Sequence, residues 1–412
     1  MKPLAEAQDE VLGAVMPLPV ELVSVWDALG LVPVEAVVAK EAVPPFANSA
    51  MDGYAVVATD TSAAPVTLLV VEDLAAGRVA TMSVSPGHVI KIMTGAPIPS
   101  GADAVVKVED TVPGPAEVRI LRQVSPGDSV RSAGGDVRVG DVVVAAGLRL
   151  APQHLGVLAA AGAATVRVRR RPRVGLISTG DEVQPPETPR LQPGQIRDAN
   201  RPLLVGLLSE LGAEVRDYGI VPDDEHRLRS TLERAAADCD AVLTSGGVSM
   251  GEYDLVKQVL SELGDIDLWR VAMKPAKPFA FGKIAGTPLF GLPGNPVSVM
   301  VAFEQFARPA LLKMMGAERL FRPLLMGTTT SRIDTDPEKT VFIRVFVKAE
   351  VDGRLTVTES GSQMSNVLSS AAAADAFVVV PVGVGTIEAG EPVTMEMFRW
   401  PETRTYQEAR DG

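Results

Sequence analysis

Cysteine, histidine and aromatic side chains are all scarce in this chain, and each shortage removes a class of function. Cys239 is the only cysteine, so no internal disulfide and no cysteine-rich zinc site can form. The three histidines, His88, His154 and His226, are too few and too scattered for a zinc constellation. Aromatic residues are 4% of the 412 positions, and Ala, Val and Leu carry most of the apolar share of 46%. Basic charge is also short. The net charge of -12 argues against nucleic acid as a partner, because phosphate binding needs a basic face. Long apolar runs are missing too: the stretch 155–168 is short and contains Arg167, so nothing is expected to span a membrane. Residues 1–16 carry Glu6, Asp9 and Glu10 and read as an amphipathic helix, not a secretory signal. A soluble protein of the cytoplasm is expected.

What is present is regular. A chain of this length predicts two to four domains. Between 172 and 320, short apolar runs alternate with helical spacing. Arg173 to Thr179 reads as a buried strand, and Leu203, Leu204, Leu207, Leu208 and Leu211 mark a helix stopped by Gly212. Further strands are expected at 213–221, 241–244, 266–273, 279–284 and 288–291, with a long helix over 295–315. This alternation predicts a doubly wound α/β domain. Residues 46–140 are Val-, Gly- and Pro-rich and predict a mostly-β domain. Residues 1–45 and 141–171 are expected to pair as one discontinuous domain. Residues 321–412, with a hairpin signature at Asp352-Gly353, predict a β-barrel. The fold class is therefore α/β plus β and multidomain. The cluster Arg167, Arg169, Arg170, Arg171 and Arg173 has the composition of a solvated linker face.

In a doubly wound sheet, ligands bind beyond the carboxyl ends of the strands. Three unusual turns fall at that edge: Ser178-Thr179-Gly180-Asp181-Glu182, Ser245-Gly246-Gly247-Val248-Ser249-Met250-Gly251 and Leu292-Pro293-Gly294-Asn295-Pro296. One glycine turn is ordinary, but three converging turns followed by helix N-termini suit a phosphorylated small molecule. The same edge carries Asp181, Glu182, Asp223, Asp224, Glu252 and Asp254. Acids facing a phosphate suggest a bridging Mg²⁺, although Asp223 reads first as a helix cap and Glu252 and Asp254 would favour a helix N-terminus whatever the function. Lys274 and Lys277 sit in a loop stiffened by Pro275 and Pro278, which favours an oxyanion or phosphate contact over solvent cover. The string Gly247-Val248-Ser249-Met250-Gly251 matches a serine-hydrolase elbow. That chemistry needs a histidine after the serine in chain order, and none follows Ser249.

These segments closely resemble the molybdopterin molybdenumtransferase family, the MoeA-type enzymes related to the E domain of gephyrin. Its other markers are Ser49-Ala50-Met51-Asp52-Gly53-Tyr54-Ala55, Ile92-Met93-Thr94-Gly95-Ala96-Pro97 and Gly101-Ala102-Asp103-Ala104-Val105-Val106. The resemblance implies elongated N-terminal mixed and β domains, a molybdopterin-binding α/β domain and a C-terminal β-barrel, assembled as a homodimer. It also implies a transferase that inserts molybdate into adenylyl-molybdopterin with Mg²⁺, releasing AMP and molybdenum cofactor. Other proteins of molybdenum cofactor biosynthesis are the implied partners. Family catalytic positions fall on Asp52, Asp136, Glu182, Asp223, Asp254, Lys274 and Lys277, with Glu182 and Asp254 toward Mg²⁺. The pterin nucleotide would be bound by Ser178, Thr179, Gly180, Ser245, Gly246, Gly247, Ser249, Pro293, Gly294, Asn295 and Pro296. Lys277, Pro278, Ser298, Arg344 and Ser365 would receive molybdate. Two segments depart from the family pattern: Asp198-Ala199-Asn200 lacks a serine, and Gly134-Gly135-Asp136 keeps one acid of two. The alternatives are a molybdopterin adenylyltransferase, or a scaffold of the same fold without catalysis.

Overall fold

The computed structural model describes residues 1–246, 255–350, 352–400 and 410. Its central sheet runs Glu214–Val221, Arg173–Thr179, Ala241–Ser245, Thr287–Leu292, Pro278–Ile284, Gly264–Arg270. The first four strands are parallel and the last two antiparallel. Strand alternation sends neighbouring side chains to opposite faces. Leu176 and Leu243 join one apolar cluster with the helix Asn200–Leu211, whereas Ile177 and Val242 join another with the helix Glu225–Asp238. Both faces are covered, as the near-continuous apolar strands require.

Three features differ from the sequence expectation. The helix after Asn295 is not uniform: Pro296–Ala302 and Arg308–Met314 are α-helical, and Phe303–Ala307 between them is π-helical. The expected strand over 266–273 is two strands serving two sheets. Gly264–Arg270 edges the α/β sheet, while Met273–Lys274 pairs in parallel with Thr340 and Val341 of the C-terminal domain. The arginine cluster is only in part a solvated face: Arg167 is exposed and pairs with Glu35, whereas the next three bind carbonyls and an acid. Arg170 grips both oxygens of Asp240, and Arg169 donates to Leu18 O. Arg171 donates to Gly212 O at 3.0 Å and Leu29 O at 2.9 Å, beside Arg149, which reaches Leu211 O at 2.8 Å. Cations at the carboxyl end of the helix Asn200–Leu211 oppose its dipole and tie it to the segment around residues 27–30. The linker arginines thereby orient one layer on the next.

N-terminal residues Val20–Ser24 pair antiparallel with Thr165–Arg169, and Val37–Val38 with Val142–Val144. The first helix, Leu4–Ala14, instead buries Ala7 and Val11 in the core of the α/β domain. Residues 46–140 form a six-stranded sheet containing Gly53–Val56, His88–Ile92 and Ala104–Lys107. In the C-terminal region, Thr340–Ala349 and Leu355–Glu359 form the expected hairpin. Leu324–Thr329, Pro392–Met397 and Ala376–Val380 complete a circuit of pairings that returns to Thr340–Ala349, closing a barrel. Under the π-helical turn lies a buried ion network. Both oxygens of Glu304 accept from Arg322, at 2.8 and 2.9 Å, and Arg308 lies 3.6 Å away. Next to it, Gln305 links Gln8 of the first helix to Glu396 of the barrel. Among the described residues no helix is long and apolar enough to cross a membrane.

Candidate active site

The parallel pairing of Met273–Lys274 with the barrel strand pulls the lysine loop into the seam between the α/β domain and the barrel. Ala276, buried and with φ of 72°, makes the turn from which Lys274 and Lys277 emerge. A left-handed alanine is an uncommon conformation, held here by surrounding packing and by Val271 N–H donating to Lys277 O at 2.8 Å. The two lysines open into a cavity of about 550 Å³. Its other walls include Pro278, Pro293, Gly294, Asn295 and Ser298 from the α/β domain and Lys339, Gln363, Met364, Ser365 and Asn366 from the barrel. Asn295 does not cap its own helix; its Nδ2 donates to Ser365 Oγ at 2.9 Å, and Val297 N–H to Ser365 O at 3.2 Å. Asn200 Nδ2 fixes the turn from behind by donating to Gly294 O at 2.7 Å. Two domains thus build one cationic, donor-rich pocket.

Arg344 stands behind this wall, and here the structure differs from the expected direct contact. The side chain is 1% exposed. Its Nε donates to Gln363 Oε1, and its terminal nitrogens to the carbonyls of Ser362, Met364 and Val367. A guanidinium has five donors in a fixed fork, and these bonds direct them to the loop bearing Ser365. Arg344 shapes the loop.

A second group gathers at the carboxyl edge of the sheet. Ser178, Thr179 and Ser245 are buried at the strand ends. Gly180 has φ of 131°, and a Cβ there would fall 2.5 Å from a Glu182 carboxylate oxygen. A Cβ on Gly246 would fall 2.8 Å from Thr179 O, so glycine is required where these two turns touch. The hydroxyls of Thr179 and Thr244 are buried with no hydrogen-bond partner among the described residues, an uncommon state for two polar groups so close to one sheet edge. Asp224, not Asp223, caps the helix Glu225–Asp238, accepting from Arg227 N–H at 2.8 Å. Asp223 is left free of capping, and its own N–H donates to Asp181 at 3.0 Å. Partial burial, then the charges of Asp181 and Glu182, push its carboxyl above the usual range. Pro296 follows Asn295 as the first helical residue. Gly247, Ser249 and Asp254 lie outside the described residues.

Asp52 and Asp136 join neither group. Asp52 Oδ1 accepts the N–H and hydroxyl of Thr94, both at 2.7 Å, and these donors hold its carboxyl below the usual range. Asp136 is exposed, and its N–H donates to Val43 O. Among the described residues, none from 46–140 lines the 550 Å³ cavity. Sequence reasoning missed Lys339, Gln363, Met364 and Asn366, which sit in barrel segments without a distinctive motif.

Family models fit this arrangement in order. Residues 2–162 match the MoeA N-terminal region (domain I and II), 175–313 a probable molybdopterin binding domain, and 327–398 the MoeA C-terminal region (domain IV). The chain belongs to the molybdopterin molybdenumtransferase family. A molybdopterin molybdenumtransferase 2 of Mycobacterium tuberculosis is 40% identical over 391 residues, covering 92% of this chain and 95% of the relative. The molybdopterin molybdenumtransferase of Haemophilus influenzae is 36% identical over 401 residues, covering 97% and 99%. The crystal structure of the molybdopterin biosynthesis MoeA protein from Pyrococcus horikoshii OT3 has a TM-score of 0.80 and 32% identity, covering 97% of this chain and 100% of that one. Against this family background, the two departures read locally. Ala199 precedes the helix Asn200–Leu211 and offers it no side-chain cap, while Asp198 is buried against Arg201, 3.2 Å away. Gly135 is exposed, so the missing acid leaves no hole in a core.

Proposed function

We propose that this chain transfers molybdenum to the pterin, taking adenylyl-molybdopterin and molybdate and releasing AMP and molybdenum cofactor. The observation that carries this reading is the cavity where Lys274, Lys277, Ser298 and Ser365 converge between two domains. An oxyanion gains most from fixed cations and donors in a partly enclosed site. The adjacent sheet edge, with Thr179, Gly180, Ser245 and Gly246, suits the phosphates of the pterin nucleotide. The adenylyltransferase alternative would leave the segments 2–162 and 327–398 without a role. A scaffold would not require the lysine pocket.

In this reading Lys277 and Ser365 hold the molybdate, Lys274 neutralises the pyrophosphate, and Arg344 positions the Ser365 loop. The pyrophosphate linkage opens by hydrolysis: the oxygen of a water joins one phosphorus as the bridging P–O bond breaks, AMP leaves, the pterin keeps its own phosphate, and the proton passes to solvent. Among the described residues no three His, Cys, Asp or Glu side chains form a metal site by themselves. Asp181, Glu182 and Asp223 still crowd one corner, and Mg²⁺ commonly takes one or two carboxylates with phosphate oxygens completing its shell. That donor set fits a cation shared with substrate, with Glu182 and Asp254 as its proposed ligands. When bound, Mg²⁺ would neutralise charge developing on the pyrophosphate. We assign a homodimer and a cytoplasmic location to the same reading, and the free, buried Cys239 is compatible with a reducing compartment.

The direct test is AMP release from adenylyl-molybdopterin, dependent on molybdate and Mg²⁺. Absence of molybdate-dependent AMP release would overturn the reading. Lys277→Ala is expected to raise the molybdate concentration for half-maximal turnover by about tenfold or more, because charge-assisted contacts are strong. An unchanged requirement would make Lys277 a surface residue.

Melting temperature checks the acidic corner independently of activity. The raised Asp223 carboxyl favours the folded state below its unfolded value, and that contribution is lost as pH rises through the folded value. In chelator near pH 7, Asp223→Asn is therefore expected to melt above the unsubstituted protein. Added Mg²⁺ should raise the melting temperature of the unsubstituted protein, less so near pH 4, where protons compete for the carboxylates. Asp223→Asn should lose much of that gain. Equal Mg²⁺ responses in the two proteins would remove Asp223 from the metal corner.

A further inference from the structure

We propose that Lys339 is a second cationic contact, beside Lys277, for the molybdate oxyanion in this cavity, and that Asp336 holds it in place until a dianion displaces the pairing. The inference rests on the reading of the cavity as an oxyanion site and adds residues outside the family motifs described above. Lys339 lines the cavity with Lys274 and Lys277. Its place follows from sheet pairing: Thr340, the next residue, sits opposite Met273, and Thr340 N–H donates to Ala272 O at 2.9 Å. The Lys339 side chain is 19% exposed and its ammonium is paired with Asp336.

A turn clip is the plainer account of that pair, and the backbone argues against it. The turn Asp336-Pro337-Glu338-Lys339 is already closed by Lys339 N–H to Asp336 O and Glu338 N–H to Asp336 Oδ1, each 3.1 Å. Gly383 N–H to Pro337 O, at 2.8 Å, anchors it from the neighbouring loop. The turn therefore does not need the ammonium. The cavity does need a counter-charge, because three lysines sharing it repel one another. Asp336 is the acid in position. Its carboxyl lies below the usual range, first through Lys339, then the Glu338 N–H, with Lys274 contributing at longer range. One carboxylate thus pairs with Lys339 and offsets part of the charge of Lys274. A molybdate dianion brings twice its charge and more acceptor oxygens, so it outcompetes Asp336 for Lys339.

Titration calorimetry of molybdate into the full-length protein tests this. Lys339→Met keeps most of the side-chain length without the charge and is expected to raise the Kd about tenfold. Asp336→Asn keeps the Oδ1 acceptor of the turn and is expected to lower the Kd by roughly threefold or more, since a competitor is removed. That gain should shrink in the double variant, because Asp336 acts mainly through Lys339. A clip predicts the reverse: unchanged or weaker binding in Asp336→Asn, and no coupling. Lys277→Ala serves as the reference. If it weakens binding while Lys339→Met does not, Lys339 is withdrawn and the oxyanion reading stands. If the unsubstituted protein binds no molybdate, both fail. Should Lys339→Met not fold, the Asp336→Asn arm still decides, because tighter binding supports the proposal and unchanged binding overturns it.

Discussion

Mixed dimers carrying Asp52→Ala on one chain and Asp254→Ala on the other should recover about half of the normal AMP release, while each homodimer of either variant stays inactive. The expectation comes from where the acids lie. Asp52 sits at the start of the strand Gly53–Val56, held by Thr94, in the sheet of residues 46–140. No described residue of that region reaches the lysine cavity of its own chain. An acid required for chemistry there would have to come from a second copy, and a two-fold assembly would supply it twice. In a mixed dimer both lesions can fall in one composite site, leaving the other intact. Verified mixed dimers that remain inactive would mean that Asp52 acts within its own chain or only supports the loop around Thr94.

Glu304→Ala should cost about 3–5 kcal/mol of stability, the usual consequence of leaving a buried charge without its partner. Glu304 is 4% exposed and faces both Arg322 and Arg308. Its removal takes the nearest carboxylate from both guanidinium groups, leaving Arg322 with Glu210 at 3.8 Å and Arg308 with the Leu320 carbonyl at 3.2 Å, beside the Gln8, Gln305 and Glu396 chain that joins the first helix to the barrel. Burial already pushes the Glu396 carboxyl above its usual range, so this region has little capacity for another unbalanced group. The measurement is the denaturant midpoint of the transition that exposes the α/β core. A loss below about 1 kcal/mol would show that solvent reaches the arginines. Because the same network docks the barrel, the variant should also bind molybdate more weakly under conditions where it remains folded.

The sequence by itself determined the strand-and-turn grammar and the chemical cast. The apolar run Arg173–Thr179, the leucine spacing of the following helix and the three glycine turns are local signals, because period, turn geometry and helix arrest depend on near neighbours. Lys274 and Lys277 were legible for the same reason: two prolines beside two lysines announce a stiff cationic loop. Tertiary structure decided which of these groups meet. It assigned the cap to Asp224 and freed Asp223, a choice made by one residue's φ and ψ and invisible to composition. It turned Arg171 of the arginine run from a linker residue into a carbonyl ligand at a helix end, beside Arg149. It drew Lys339 and Ser365 to the lysine loop through the pairing of Met273 with Thr340, and set Arg344 behind the loop it supports. These contacts join residues some tens of positions apart. Their energies come from burial and charge pairing across domains, and neither quantity is written into any short stretch of chain.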